Sequence, residues 1–339
     1  MKKHAAIIAQ LAIGIGILSI IFARLHREDK LSELGVAVQT CATNWPYLIV
    51  ALLSFAACLF VCSWRWHILL KQQGIALPFT KVHALYYLGH FFNAFLLGAT
   101  GGDVAKAYYV SKETQHSKAE AVATVLIDRL IGLLTLIALC ALVAMVRYDF
   151  FMQAPETRNA LKFTAFLFLG GIGLLVGTLC KPWLDKWPLF SRTMNATAVG
   201  RILDRMYAAL HACIRKPSVA IATVALSLLN HITIIFGSYN IGLALGLNLT
   251  FWDQLIVFPL INMIAAAPIT PSGIGTRDAA TVYLLAAFDV AEPNAIALSL
   301  LLYGTLMFWS LVGGVVYAVY AAKAGRVQAA DAPQPPSAD

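Results

Sequence analysis

Charge is what this chain has least of. Of 339 residues only 12% are Asp, Glu, Lys or Arg, about half the roughly 25% usual in soluble domains. Hydrophobic residues make up 60% and the mean hydropathy is +0.74. A soluble domain of this length could bury a large core, but the polar residues to coat it are missing, so the chain reads as an integral membrane protein. The net charge of +8 does not point to nucleic acid, because the bases sit in short loops between apolar runs, as the positive-inside rule predicts.

Familiar site motifs are missing too. The six cysteines, Cys41, Cys58, Cys62, Cys140, Cys180 and Cys213, contain no CxxC, so neither a zinc site nor a disulfide framework is expected. Cys58 and Cys62 share a helix face and read as small apolar packing. No GxxxxGK[ST] loop occurs, which excludes ATP hydrolysis by that route. The absence of Asp-x-Asp, HExxH, GxSxG and His-x4-Asp argues against a metal-dependent transferase, protease, hydrolase or acyltransferase. No catalytic residue, metal ligand or cofactor is expected.

What is present is a series of apolar runs near the ~20 residues that cross a bilayer: 5–23, 47–64, 119–146, 161–180, 218–246 and 294–322. The first follows Lys2 and Lys3 like a signal peptide, but Arg24 and His26 stand where a small-residue cleavage site would, so it reads as a retained span. Residues 24–46 suit an interfacial amphipathic helix ended by Asn44 and Pro46. Segment 181–217 carries seven bases with Trp183 and Trp187 and suits a headgroup-layer loop. Residues 324–339, rich in proline at the end, read as a disordered tail.

Two further stretches are apolar enough for the membrane yet broken at their middles. Residues 90–110 pass from Asn93 through Gly98, Gly101 and Gly102 to Asp103 and Lys106; residues 258–285 pass from Asn262 through Pro268-Ile-Thr-Pro-Ser-Gly-Ile-Gly to Thr276, Arg277 and Asp278. Two prolines and two glycines within eight residues cannot continue a helix. Unwound backbone at membrane depth survives only where protein or a wet cavity satisfies it. A pair of interrupted segments in corresponding halves is the best sequence pointer to a transporter's binding site. With both read as re-entrant hairpins and the N-terminus inside, the bases at 65–81, 112–118, 181–217 and 323–326 fall on the cytoplasmic side. That assignment puts Arg65 in a loop. The expected fold is all-α: about six full spans plus two broken hairpins in an inverted repeat. One membrane domain then covers 1–323, with halves at about 47–146 and 218–322, and both termini lie in the cytoplasm.

The candidate substrate-binding residues are Asn93, Gly101, Gly102, Asp103 and Lys106 from the first break, and Asn262, Thr270, Ser272, Gly273, Gly275, Arg277 and Asp278 from the second. Asp128 and Arg129 join them from span 119–146. Charges inside a membrane cost ~2.5–3.5 kcal/mol each and usually face a partner. Arg129 is expected near Asp103 or Asp278, and Asp128 near Lys106 or Arg277. The bland alternatives are helix capping by Asp103 with Lys106 snorkelling to the interface, and a structural salt bridge at Asp128-Arg129. His83, Tyr87 and His90 on one face, and Asn230-His231, are weaker candidates.

The ordered trio FFNAFLLGATGGDVAKAYYVSK, AEAVATVLIDRLIGLL and APITPSGIGTRDAATVYLL resembles the flippase-like membrane region of lysylphosphatidylglycerol synthases and the stand-alone, YbhN-like bacterial proteins of that family. The likeness spans roughly residues 5–322. It implies a bacterial inner-membrane protein that moves a phospholipid or related lipid between leaflets. Membrane lipids are the implied partners, with a homo-oligomer or lipid-synthesis enzymes as further ones. Family patterns usually carry Arg at Lys106 and Glu at Asp278. Only a short Pro-rich stretch follows the last span, so lipid aminoacylation of the kind the synthases' soluble aminoacyl-transferase domain performs is not expected of this chain. An enzyme or scaffold in synthesis of a lipid-linked or hopanoid-type product is the alternative.

Overall fold

The computed structural model describes residues 31–95, 101–114, 118–153, 155–184, 215–266 and 275–330, with scattered positions outside these runs. Among them there is helix and turn but no strand. The elements are α1 (Leu31–Thr43), α2 (Trp45–Gln72), α3 (Phe79–Phe95), α4 (Gly101–Glu113), α5 (Lys118–Val146), α6 (Tyr148–Gln153), α7 (Pro155–Leu184), α8 (Pro217–Ala244), α9 (Phe251–Ala266), α10 (Thr276–Leu285) and α11 (Glu292–Ala330).

Among the described residues five helices are long and apolar enough to cross a membrane: α2, α5, the Thr157–Gly177 part of α7, α8, and α11 to Tyr320. They correspond to five of the six full spans expected; the run 5–23 lies outside the described residues. So does most of 181–217. Proline sits in the first turn of α2 and of α8, where its missing N–H costs nothing. After α8 the chain reverses at Gly246, φ +70°, and the Leu247 N–H returns to the Gly242 carbonyl at 2.9 Å. The most extensive packing joins α2 to α8. Gly237 makes it possible, since a Cβ there would press on the Phe55 ring at 3.2 Å.

Two expectations about boundaries need correcting. The apolar window ended at residue 64, but α2 continues to Gln72, so Arg65 is a buried helical residue and not part of a loop. The tail expected from 324 is helical to Ala330, because its Ala-rich sequence favours helix and the prolines begin only at Pro333.

Both interrupted stretches are broken as the sequence suggests. Their arms hold 17 and 13 residues (α3, α4) and 16 and 10 residues (α9, α10), about 15–26 Å each at 1.5 Å per residue. None spans the ~30 Å hydrocarbon layer alone. The first pair of arms runs antiparallel. Lys81 pairs with Glu113 at one end, Gly89 lies beside Lys106 in the middle, and Asn93 meets Gly102 at the other. In the second pair α9 packs on α10, and Gly273 and Gly275 adopt φ +73° and +79°. A Cβ at Gly273 would stand 2.9 Å from that of Ala265. Each hairpin also touches the other half of the chain: α3 lies on α11, and α9 on α5.

Candidate functional site

The first hairpin is pinned by a close backbone approach. The Gly102 N–H donates to Asn93 Oδ1 at 2.7 Å. A Cβ at Gly102 would collide with the Gly89 carbonyl oxygen and with the Asn93 amide at 2.6 Å. Only glycine lets α4 lie this near α3. Gly101 is buried at the start of α4. This contact carries inward Asp103, the next residue, and Lys106, one turn further along.

Lys106 is 4% exposed and does not snorkel to the interface. Its Nζ lies 3.8 Å from Asp103 Oδ1 and 3.6 Å from Asp128 Oδ2. Two rings cover it, Tyr86 at 4.2 Å and Trp66 at 4.9 Å from Nζ to the ring centres, a favourable place for a desolvated cation. Asp103 also accepts a hydrogen bond from Arg129. Asp128 accepts one from Arg65 Nε at 2.7 Å. The result is an alternating series, Arg65–Asp128–Lys106–Asp103–Arg129, in which three cations face two carboxylates. Alternation lets charge exist inside a low-dielectric bundle, since each ion has an opposite neighbour.

Of the pairings expected, Arg129 with Asp103 and Asp128 with Lys106 are present, while Arg65 was missed. Arg65 NH1 further donates to Ser227 Oγ at 2.7 Å, and Gly132 leaves room for the guanidinium at 3.2 Å. One side chain thus ties α2, α5 and α8. The sequence signal was available: a base at the margin of an apolar run, set against an acid buried in another.

In the second hairpin, the acid and the base separate in role. Asp278 is buried, and its carboxylate takes the Gly275 N–H at 2.8 Å, capping α10. It is therefore occupied in closing its own turn, and Arg129 and Lys106 find their carboxylates in Asp103 and Asp128. Thr276 Oγ1 donates to the Gly273 carbonyl at 3.1 Å and lies 3.2 Å from the buried Thr270 hydroxyl. Ser272 lies outside the described residues. Arg277 instead lines a cavity.

That cavity measures about 230 Å³ and is bordered by His90, Asn93, Asn262, Arg277 and Tyr303 among others. A second, of about 180 Å³, is bordered by Cys58, Cys62, His90, Asn93, Asp103 and Lys106. The two share His90, Asn93 and Leu306. A smaller one of about 40 Å³ continues past Asn262, Arg277 and Leu306. Residues of both broken stretches thus line the largest of these three cavities, and Leu306 borders all three. The weaker candidates also find places. Cys58 and Cys62 are more than packing, because their thiols donate to Asn230 Oδ1 at 2.7 and 3.1 Å. His231 Nε2–H donates to the Gly132 carbonyl at 3.0 Å, and His83 Nδ1 lies 2.9 Å from Ser63 Oγ.

A family model described as the lysylphosphatidylglycerol synthase TM region matches residues 7–313. This chain belongs to that family. Among similar proteins, UPF0104 membrane protein PH1989 of Pyrococcus horikoshii is 23% identical over 339 residues, covering 93% of this chain and 96% of its own. UPF0104 membrane protein MJ1595 of Methanocaldococcus jannaschii is 24% identical over 270 residues, covering 76% and 80%. MJ1078 of the same organism is 27% identical over 220 residues, covering 64% and 88%. No solved structure matches the chain. Family membership and the five long apolar helices together make this a multi-pass membrane protein with a membrane-lipid-related function.

Proposed function

We propose that the protein is a lipid translocator, in which the polar headgroup of a phospholipid or related lipid enters the cavities between the two hairpins while its acyl chains stay in the bilayer. One observation carries the reading: Asn93 of the first broken stretch and Asn262 and Arg277 of the second line one cavity, and Asp103 and Lys106 line a neighbouring one that shares His90, Asn93 and Leu306 with it. A plain structural ion-pair network would need no such space beside it.

The charges suit the task. The series holds one more cation than carboxylates, and Arg277 adds a guanidinium to the wall of the larger cavity. A phosphate moving between them exchanges its hydration for fixed donors, which lowers the barrier that a bare headgroup meets in hydrocarbon. Basic-residue placement supports cytoplasmic termini in a bacterial inner membrane. The equivalent order of span, hairpin and span in 47–146 and 218–322 supports an inverted repeat. A homo-oligomer or lipid-synthesis enzymes are the proposed protein partners.

Reconstitution into liposomes with lipids labelled in one leaflet tests the reading. Movement of unchanged lipid dependent on the protein is expected. Chemical conversion of the lipid would identify an enzyme, and neither movement nor conversion would leave a scaffold; either result would displace the translocator.

A further inference from the structure

The smallest of the three cavities, about 40 Å³, has a mostly apolar lining among the described residues. It shares Phe55 of α2, Ile234 of α8 and Leu306 of α11 with the cavity that Asp103 and Lys106 border. With the larger cavity it shares Asn262, Arg277 and Leu306. Phe55, Ile234 and Leu306 each fall near the middle of a helix long enough to span the membrane. The two larger cavities also share His90 and Asn93 beside Leu306. There His90 keeps Nε2 buried and Asn93 commits Oδ1 to the Gly102 N–H, so Leu306 is the apolar member of that wall too. A buried water needs roughly two to four polar partners, and small cavities lined by hydrocarbon stay dry. Phe55, Ile234 and Leu306 have no polar side-chain atom to offer.

We propose that Phe55, Ile234 and Leu306 form a dry collar that excludes small ions from the lipid path, with Leu306 its decisive member because it borders every cavity the collar separates. A narrow apolar constriction stops ions by dewetting. The ions to exclude are anions. Lys106 borders the cavity on one side and Arg277 the cavity on the other, and positive charge placed to receive a phosphate also concentrates chloride. Chloride reaching the collar must shed water and finds no N–H or O–H there to replace it. A lipid brings apolar chains that can pack against the collar as its headgroup passes; chloride brings none. This assignment deepens the translocator reading and rests on it for the lipid, whereas ion exclusion is measured apart from lipid movement.

The test reconstitutes the full chain in liposomes loaded with potassium chloride and records chloride efflux after valinomycin is added to carry potassium. Vesicles holding the unaltered protein should release chloride no faster than protein-free ones. Leu306→Asn, close to leucine in volume, places an amide in the collar and should speed efflux about tenfold or more, the effect of one hydrogen-bonding group on a barrier. Ile234→Thr alters the same collar from α8 and should also leak, which keeps the test decisive if Leu306→Asn does not fold. Leu306→Met, still apolar, should stay tight, as should Leu311→Asn, whose site on the same helix is 55% exposed. Rapid efflux through the unaltered protein overturns the collar, as does a folded Leu306→Asn or Ile234→Thr that stays tight. A Leu311→Asn protein that leaks as fast as Leu306→Asn overturns it too, because any polar change on α11 would then suffice. Lipid movement measured in the same vesicles separates the two claims. Leakage through Leu306→Asn, in a protein that moves no lipid in any form, supports the collar and defeats translocation. Lipid movement by the unaltered protein, with folded collar variants that stay tight, does the reverse.

Discussion

Arg65 is the most consequential residue that sequence reading left out, and removing it gives the sharpest energetic test. Its side chain is 5% exposed and that of Asp128 3%. Arg65→Ala would leave Asp128 buried with Lys106 at 3.6 Å as its remaining cation. Stripping one partner from a buried pair costs ~3–5 kcal/mol. Partial compensation by Lys106 places the expectation near the lower end, about 3 kcal/mol. At ~2 °C per kcal/mol for a large domain, the midpoint of thermal unfolding in detergent should fall by about 6 °C. Adding Asp128→Asn removes the orphaned charge, so the double variant should lose less than the two single changes together. The assay is a double-mutant cycle followed by tryptophan fluorescence, with the single and double variants in one detergent. An Arg65→Ala protein as stable as the parent, or strictly additive losses, would refute the claim that this pair holds α2 to α5.

Other outcomes follow from the same geometry. Gly102→Ala should separate α3 from α4 and abolish lipid movement, because its Cβ meets the Gly89 carbonyl; Gly170→Ala, with nothing within 4 Å, is the matched control and should change neither stability nor transport. Asp278→Ala should cost about 1 kcal/mol, the worth of a helix cap, read as a small drop in unfolding midpoint. Arg277→Ala should stop headgroup passage in liposomes, because it removes the guanidinium from the wall of the larger cavity. A cysteine placed at Ser337 should resist an impermeant thiol reagent in intact cells and react after permeabilisation.

Much of this architecture is legible in the sequence because membranes punish irregularity. Glycine, proline and charge inside an apolar run have few explanations, so both breaks and the Asp103–Arg129 and Asp128–Lys106 pairings could be anticipated from Asp, Lys and Arg at helix starts and mid-span. Arg65 was hidden by its position. A base just past 18 apolar residues looks the same whether the helix ends in water or runs on into a polar interior, and the choice depends on Asp128, 63 residues away. Asp278 was over-read for the opposite reason. Its spacing suited a distant partner, yet its carboxylate is taken up three residues back, at Gly275.

The central claim is that the two broken stretches build one cavity. Ala94 of the first and Asn262 of the second both line the larger space, so cysteines at these positions, in a chain with its own six replaced, should be joined by a short bifunctional thiol reagent. After cleavage within 181–217, the account predicts that the two fragments stay linked and that linked protein no longer moves lipid in liposomes. Fragments that separate after treatment, while a control pair on the touching helices α2 and α8 is linked, would show two separate sites and contradict the account.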